Sequence, residues 1–230
     1  MSRQPAEEQR LAESWDINAA AWTQSVREGL IRSRQLVTDR AITEAVLRRR
    51  PTRVLDAGCG EGWLARKLTS QGIAVTGFDG SESLIADAQQ HGGGPFFTLS
   101  YDDFCAQAHV LGEPFDVVVF NFALLSEELS PILRAASQTL APGGCILIQT
   151  LHPVEASQGQ GYENGWREEH FSGMGEGYKA AMPWFFRTLS SWLDELRRAG
   201  LDCVALEEPL HPETGRPASL ILTAVPRPQI

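Results

Sequence analysis

The chain has 230 residues, 43% of them hydrophobic, and a formal net charge of −9; this is enough for one domain with a sizeable core, and the charge disfavours nucleic acid or an anionic membrane as a partner. No apolar run reaches the length of a membrane span, and the polar, charged N-terminus carries no secretory pattern. The four cysteines, Cys59, Cys105, Cys145 and Cys203, lack C-x-x-C spacing and fall in or beside expected core elements; they read as reduced thiols of a cytoplasmic protein, with no zinc or other metal site.

Residues 1–50 are helical in pattern, and Trp15 and Trp22, seven apart, share one helix face. The first strand leads into Val54-Leu55-Asp56-Ala57-Gly58-Cys59-Gly60-Glu61-Gly62, a buried run entering a glycine-lined turn that opens a helix over about 63–70. Glycines at 58, 60 and 62 remove the Cβ atoms that would hold a ligand off the backbone, and the helix start turns unpaired N–H groups toward it. A dinucleotide fingerprint requires G-x-G-x-x-G, but Trp63 occupies its third glycine position, and no Gly-Lys-Ser/Thr closes a phosphate loop. The second strand, over 73–78, ends at Asp79, Gly80 and Ser81. An acid at that distance in a nucleotide-binding βαβ unit accepts ribose hydroxyls; the bland reading is a solvated strand-end acid. Ser81 is the expected cap of a helix running to about residue 90.

A third strand over 96–99 meets Ser100-Tyr101-Asp102-Asp103, whose acids are candidates either for a base contact or for a helix N-terminus. The fourth, over 115–120, is nearly continuous apolar residues, as in a strand covered on both faces, and ends at Asn121 and Phe122. Ser130-Pro131 opens a helix ending near 140, and Ala141-Pro142-Gly143-Gly144 turns into a fifth strand over 145–150. His152 follows at that strand's C-terminal end, where ligands of α/β proteins bind; a base and an ordinary strand-to-loop turn at His152-Pro153 are equal readings. Residues 151–186 are too long and glycine-rich for a simple connection, and their aromatics favour a lid over a floppy loop. An amphipathic helix over 187–201 and two strands over 202–207 and 218–225 close the chain.

The L-D-A-G-C-G-E-G stretch, the acid at Asp79, the strand ending at Asn121, the helix with its Pro-Gly-Gly turn and the closing Arg187-Thr188-Leu189 helix together resemble class I S-adenosylmethionine (SAM)-dependent methyltransferases. The resemblance covers most of 16–225 and is weakest in the insertion. It implies an α/β fold, a doubly wound, mostly parallel seven-stranded sheet with an antiparallel C-terminal hairpin and helices on both faces. It divides the chain into a helical cap (1–50), a SAM-binding core (51–150), an insertion over the substrate site (151–186) and a closing helix and strands (187–230). By the same resemblance Asp56, Gly58, Cys59 and Gly60 hold the methionyl end of SAM, and Asp79, Gly80 and Ser81 the ribose. Tyr101 or Asp102 lies next to the adenine, and Asn121 and Phe122 lie beside SAM and substrate. Trp15-Asp16 and Trp22 resemble the entry helix folded over the cofactor, where Trp22 shields a cation, and Arg34, with Arg32 as a second candidate, suits the SAM carboxylate. The implied activity is methyl transfer from SAM to oxygen or nitrogen of a small molecule, leaving S-adenosylhomocysteine (SAH), by a monomer or homodimer. Two alternatives stay open: a non-catalytic SAM-binding protein, and an NAD(P)-dependent oxidoreductase, which the glycine spacing disfavours.

Overall fold

The structure, a computed structural model, describes residues 6–112 and 114–228, and of His109 only the main chain; the start of the expected helical cap at 1–5 lies outside the described residues. Five strands come first, β1 (Arg53–Ala57), β2 (Ala74–Asp79), β3 (Phe96–Thr98), β4 (Phe115–Asn121) and β5 (Leu140–Thr150). Two more, β6 (Gly165–Glu169) and β7 (Met182–Phe186), make a separate antiparallel hairpin. The last two, β8 (Leu201–Glu207) and β9 (Leu220–Pro226), complete a seven-stranded sheet of order β3-β2-β1-β4-β5-β9-β8. The first five pair in parallel, and β9 lies antiparallel to both β5 and β8. The expected sheet and its closing antiparallel hairpin are both present.

The apolar runs of the central strands are explained by their two covered faces. Alternate side chains leave a strand on opposite sides: in β4, Val118 and Phe120 enter one core cluster, Val117 and Val119 the other. The first cluster is closed by Phe104 of α5 (Tyr101–Gln107), Leu133 of α6 (Ser130–Gln138) and Trp192 of α8 (Leu189–Arg198). The second is closed by Val46 of α2 (Asp39–Arg48), Leu64 of α3 (Trp63–Thr69) and Ala88 of α4 (Glu82–His91). Strand order reverses between β1 and β4, and at such a switch point the loops leaving the two strands part and open a crevice. The segments that leave there are the glycine turn after β1 and the chain from Phe122 onward, following Asn121 at the end of β4.

Several boundaries differ from the sequence pattern. The closing helix begins at Leu189, because Thr188 accepts from the Ser191 N–H at 3.2 Å and ends the extended segment; Arg187 therefore stands outside it and is buried. Ser81 does occupy the cap position of α4, yet its hydroxyl meets Ser83 Oγ at 3.1 Å instead of a main-chain N–H. Cys105, expected beside the core, is exposed on α5, whereas Cys59 and Cys145 are buried. Among the described residues no helix is long and apolar enough to cross a membrane, and no three His, Cys, Asp or Glu side chains are grouped to hold a metal ion.

The insertion has a short helix, α7 (Pro153–Ala156), followed by the β6–β7 hairpin, and it is clamped to α1 (Ala6–Arg27). The buried Asn18 amide donates to the Ala180 carbonyl at 2.8 Å and accepts from the Lys179 N–H at 2.8 Å. Tyr178 donates to Ser25 Oγ at 2.9 Å, and Arg10 pairs with Glu168 at 2.6 Å. A glycine-rich stretch thus gains order by borrowing partners from a helix more than a hundred residues earlier. Asn18→Ala strands two main-chain groups at the hairpin's edge, and each unmet buried group costs about 1–3 kcal/mol. The expected result is a loss of about 2 kcal/mol in chemical unfolding, with faster amide exchange at 179–180.

Candidate functional site

The glycine turn is tied to the neighbouring strand: the N–H groups of Gly58 and Cys59 both donate to the Phe78 carbonyl, at 2.9 and 3.0 Å. Gly58, Gly60 and Gly62 all have positive φ, at 74°, 56° and 82°. Asp79, at the end of β2, closes the turn from the side. One carboxylate oxygen accepts from the Gly60 N–H and the other from the Ser81 N–H, each at 2.9 Å, while burial raises its pKa. Beneath the turn Asp56 is 2% exposed and one of its oxygens has no hydrogen-bond partner. Burial, reinforced by the nearby Asp79 charge, pushes its pKa to about 7. Cys59 contributes main chain to the turn; its thiol packs in the core cluster of α2–α4, and burial holds the thiol protonated. Gly80 is exposed beside the buried Ser81.

The alternatives over 100–103 are separated by geometry. Ser100 Oγ accepts from the Asp103 N–H at 3.0 Å and donates to its carboxylate at 2.7 Å, so Asp103 belongs to the cap of α5. Asp102 is exposed on the same first turn. Tyr101 turns inward, its hydroxyl donating to the Ala123 carbonyl at 3.0 Å and its ring edge-on to Phe78 and Phe120. After β4, Asn121 Oδ1 is buried without a partner, and Phe122 holds the left-handed φ of 52°, its N–H donating to the Gln149 carbonyl at 2.8 Å. Such a conformation at a bulky residue stores strain and clusters at functional sites.

A roof comes from the N-terminal segment. Trp22 of α1 meets Trp15 edge-on at 5.3 Å, and its Nε1 lies 3.9 Å from the point a Cβ on Gly60 would occupy. Arg27, at the end of α1, reaches Glu61 of the turn at 3.3 Å and Asp87 of α4 at 3.4 Å. Arg34 lies in a π-helical stretch, Arg34–Thr38, that the sequence pattern does not signal; such stretches are frequent at functional sites. Its guanidinium is held by Asp39 at 2.9 Å and stacks at 4.7 Å on Trp63, and Nη2 is buried with no partner. Arg32 is exposed and paired with Glu213 at 2.6 Å.

Trp22, Arg34 and Phe122 also wall an apolar cavity that continues away from the turn between Leu124, Phe171, Met182, Trp184, Phe186 and Trp192. The insertion thus supplies several of its walls, including Phe171, a second left-handed aromatic at φ 56°. Arg187 lines it as well, a wall residue that sequence reasoning placed in a helix. It donates to the carbonyls of Ser126 and Glu127, stacks on Phe185 and Trp192, and has its pKa lowered to about 10 by burial. The only early signal was the motif around Arg187-Thr188-Leu189. His152 is not among the residues lining this cavity; it lines a neighbouring, more polar pocket, with Nε2 2.7 Å from Glu208. His170 is exposed.

A family described as "Methyltransferase domain" matches residues 30–206. A ubiquinone biosynthesis O-methyltransferase of Roseobacter denitrificans is 39% identical over 103 residues, which make up 44% of this chain and 41% of that protein. The chain thus aligns with less than half of the length of the curated relatives it matches. Among solved structures, the 1,6-didemethyltoxoflavin-N1-methyltransferase of Burkholderia thailandensis is 20% identical, with a TM-score of 0.65 over 97% of this chain and 92% of that one. A DhpI–SAM–HEP complex is 19% identical, with a TM-score of 0.64 over 99% and 100% of the two chains. At these identities the likeness is one of fold. Because the matched region runs from the roof segment through the glycine turn and the crevice into β8, the chain belongs to the methyltransferase-domain family.

Proposed function

We propose that the protein is a cytoplasmic SAM-dependent methyltransferase acting on oxygen or nitrogen of a small molecule. The observation that carries this reading is the turn at Gly58, Gly60 and Gly62. It has no Cβ toward the crevice, Asp79 stands at its side and Trp22 over it. The donor set suits a zwitterionic sulfonium nucleoside. Asp79 and Ser81 would face the ribose, Tyr101 and Asp102 would border the base, and Asp56 with Gly58, Cys59 and Gly60 would hold the ammonium end. Arg34 Nη2, buried and unsatisfied, would take the carboxylate. Phosphate-bearing dinucleotides fit poorly beside Asp56, Glu61 and Asp79.

When bound, SAM supplies an electrophilic methyl group on a positively charged sulfur. What the chain then does is align and exclude water, since in-line transfer draws much of its acceleration from orientation. Trp22 lies over the glycine turn and lines the apolar cavity, Phe122 lines the cavity next to Asn121, and the acceptor would sit there with the insertion closed over it. The relatives matched include an O-methyltransferase and an N1-methyltransferase, which supports both acceptor atoms. Monomer and homodimer both fit a site built within one chain.

Calorimetric titration with SAH, with NAD and NADP as controls, tests the cofactor. Binding of SAH alone is expected, and Arg34→Met should weaken it by about tenfold or more, the worth of a charge-assisted hydrogen bond. Binding of NAD(P) without SAH would overturn the reading. Amide exchange over 158–178 should slow when SAH and an acceptor bind; equal protection in both states would remove the lid role.

A further inference from the structure

The polar pocket that holds His152 adjoins the aromatic cavity. The two share one wall, made of Leu151, Ala156, Glu169, Trp184 and Ala218. The chain itself connects them: Thr150 lines the aromatic cavity, Leu151 both, and His152 the polar annex. Their walls differ sharply in chemistry. The cavity is mainly aromatic and aliphatic, with Arg34 and Arg187 on its walls, whereas the annex adds Glu155, Gln160, Arg167 and Glu168.

Most of that polarity is already committed. Glu155 is held by Arg216 at 3.0 Å and Glu168 by Arg10 at 2.6 Å. Arg167 donates to the Ala156 and Gly161 carbonyls and stacks on Phe186 at 3.4 Å. His152 is the exception: it is 7% exposed, and its Nδ1 is buried with no partner. A carboxylate can only accept, so the 2.7 Å contact with Glu208 places the ring proton on Nε2. In the uncharged form of the ring, Nδ1 is left as an acceptor. An orphaned buried acceptor is costly, and a ligand donor reaching it removes that cost.

We propose that the cavity and the annex form one bipartite acceptor site. An aromatic ring occupies the cavity, and a side arm ending in a hydroxyl or amine enters the annex and donates to His152 Nδ1. His152 is then a specificity residue at the far end of the acceptor. An ionised carboxylate arm has no proton to donate to Nδ1, which disfavours it. This inference rests on the methyltransferase reading above.

The test uses four phenols, 4-ethylphenol, 4-(2-hydroxyethyl)phenol, 4-(2-aminoethyl)phenol and 4-hydroxyphenylacetate, titrated calorimetrically into the protein with and without SAH. SAH heats report on the cofactor reading separately from the arm preference. The hydroxyl and amine arms should bind about tenfold tighter than the ethyl arm, the value of one well-made hydrogen bond to a buried group, and the carboxylate arm more weakly. His152→Phe should level the first three. Glu208→Gln, at an exposed side chain, keeps the fold and lets an amide donate to Nε2, moving the proton to Nδ1, so the carboxylate arm should gain on the amine. Equal affinities in the wild type, no binding of any phenol at about 1 mM, or an unchanged ranking in both variants would overturn the proposal.

Discussion

Gly58→Ala is expected to cost about 2–4 kcal/mol of stability and to remove SAH binding from calorimetric reach. Two terms add. At φ 74° an L residue is strained by about 1 kcal/mol. The new methyl would stand 2.6 Å from Ala123 Cβ and 2.8 Å from the Tyr101 hydroxyl, distances no real Cβ adopts. Neither neighbour yields cheaply, because Tyr101 is held to the Ala123 carbonyl and wedged between Phe78 and Phe120; overpacking of this kind typically costs about 1–3 kcal/mol. Urea unfolding gives the first quantity and SAH titration the second. Gly72→Ala is the control: its φ is also positive, at 85°, but a Cβ there meets nothing within 4 Å, so it should show the conformational cost alone and leave SAH binding intact.

The second large effect is in pH. Asp56 titrates near 7 in the folded chain against 3.8 unfolded, chiefly because burial penalises its charge. With the folded pKa raised, its contribution to stability is fully present below the unfolded value and is lost as pH rises through the folded one. At about 1.4 kcal/mol per unit, roughly 4 kcal/mol is at stake between pH 4 and pH 8. Asp56→Asn has the same shape and no charge. The stability of that variant relative to wild type should therefore climb by about that amount over the interval, and a flat difference would contradict the raised pKa. On the proposed function, SAH affinity in the wild type should rise as pH passes 7 and the carboxylate forms beside the ligand's ammonium, with proton uptake or release visible in buffers of different ionisation enthalpy.

The core sheet was legible because its signals are local. Val54 to Gly62, Phe115 to Asn121 and the strand before Asp79 each state their element within ten residues: apolar runs for strands covered on both faces, glycine where the backbone must turn left-handed. The terminal hairpin was read for the same reason. The helix cap at Ser81, by contrast, matched in position and differed in bonding, since the Ser81 hydroxyl is drawn to Ser83 while Asp79 takes the Ser81 N–H. The insertion was legible only as something built: its aromatics announced burial, but the segment leading into β7 is anchored by Asn18 and Ser25, far away in the chain. Periodicity reports which face of an element is buried and carries no record of a distant helix that holds it in place.

The sequence by itself determined the sheet, the glycine turn, the acid beside it and the family they imply, because each follows from backbone geometry that a few consecutive residues impose. Tertiary structure alone decided the rest. It left Cys105 exposed on α5, turned Tyr101 inward beneath the turn, assigned Asp103 to a cap, and made Arg187 a wall of the cavity instead of a helix residue. It set His152 in a polar annex facing Glu208, outside the aromatic chamber where a base was one of its two readings. Those outcomes depend on which distant side chains compete for the same space and the same hydrogen bonds, and that competition exists only once the chain has packed.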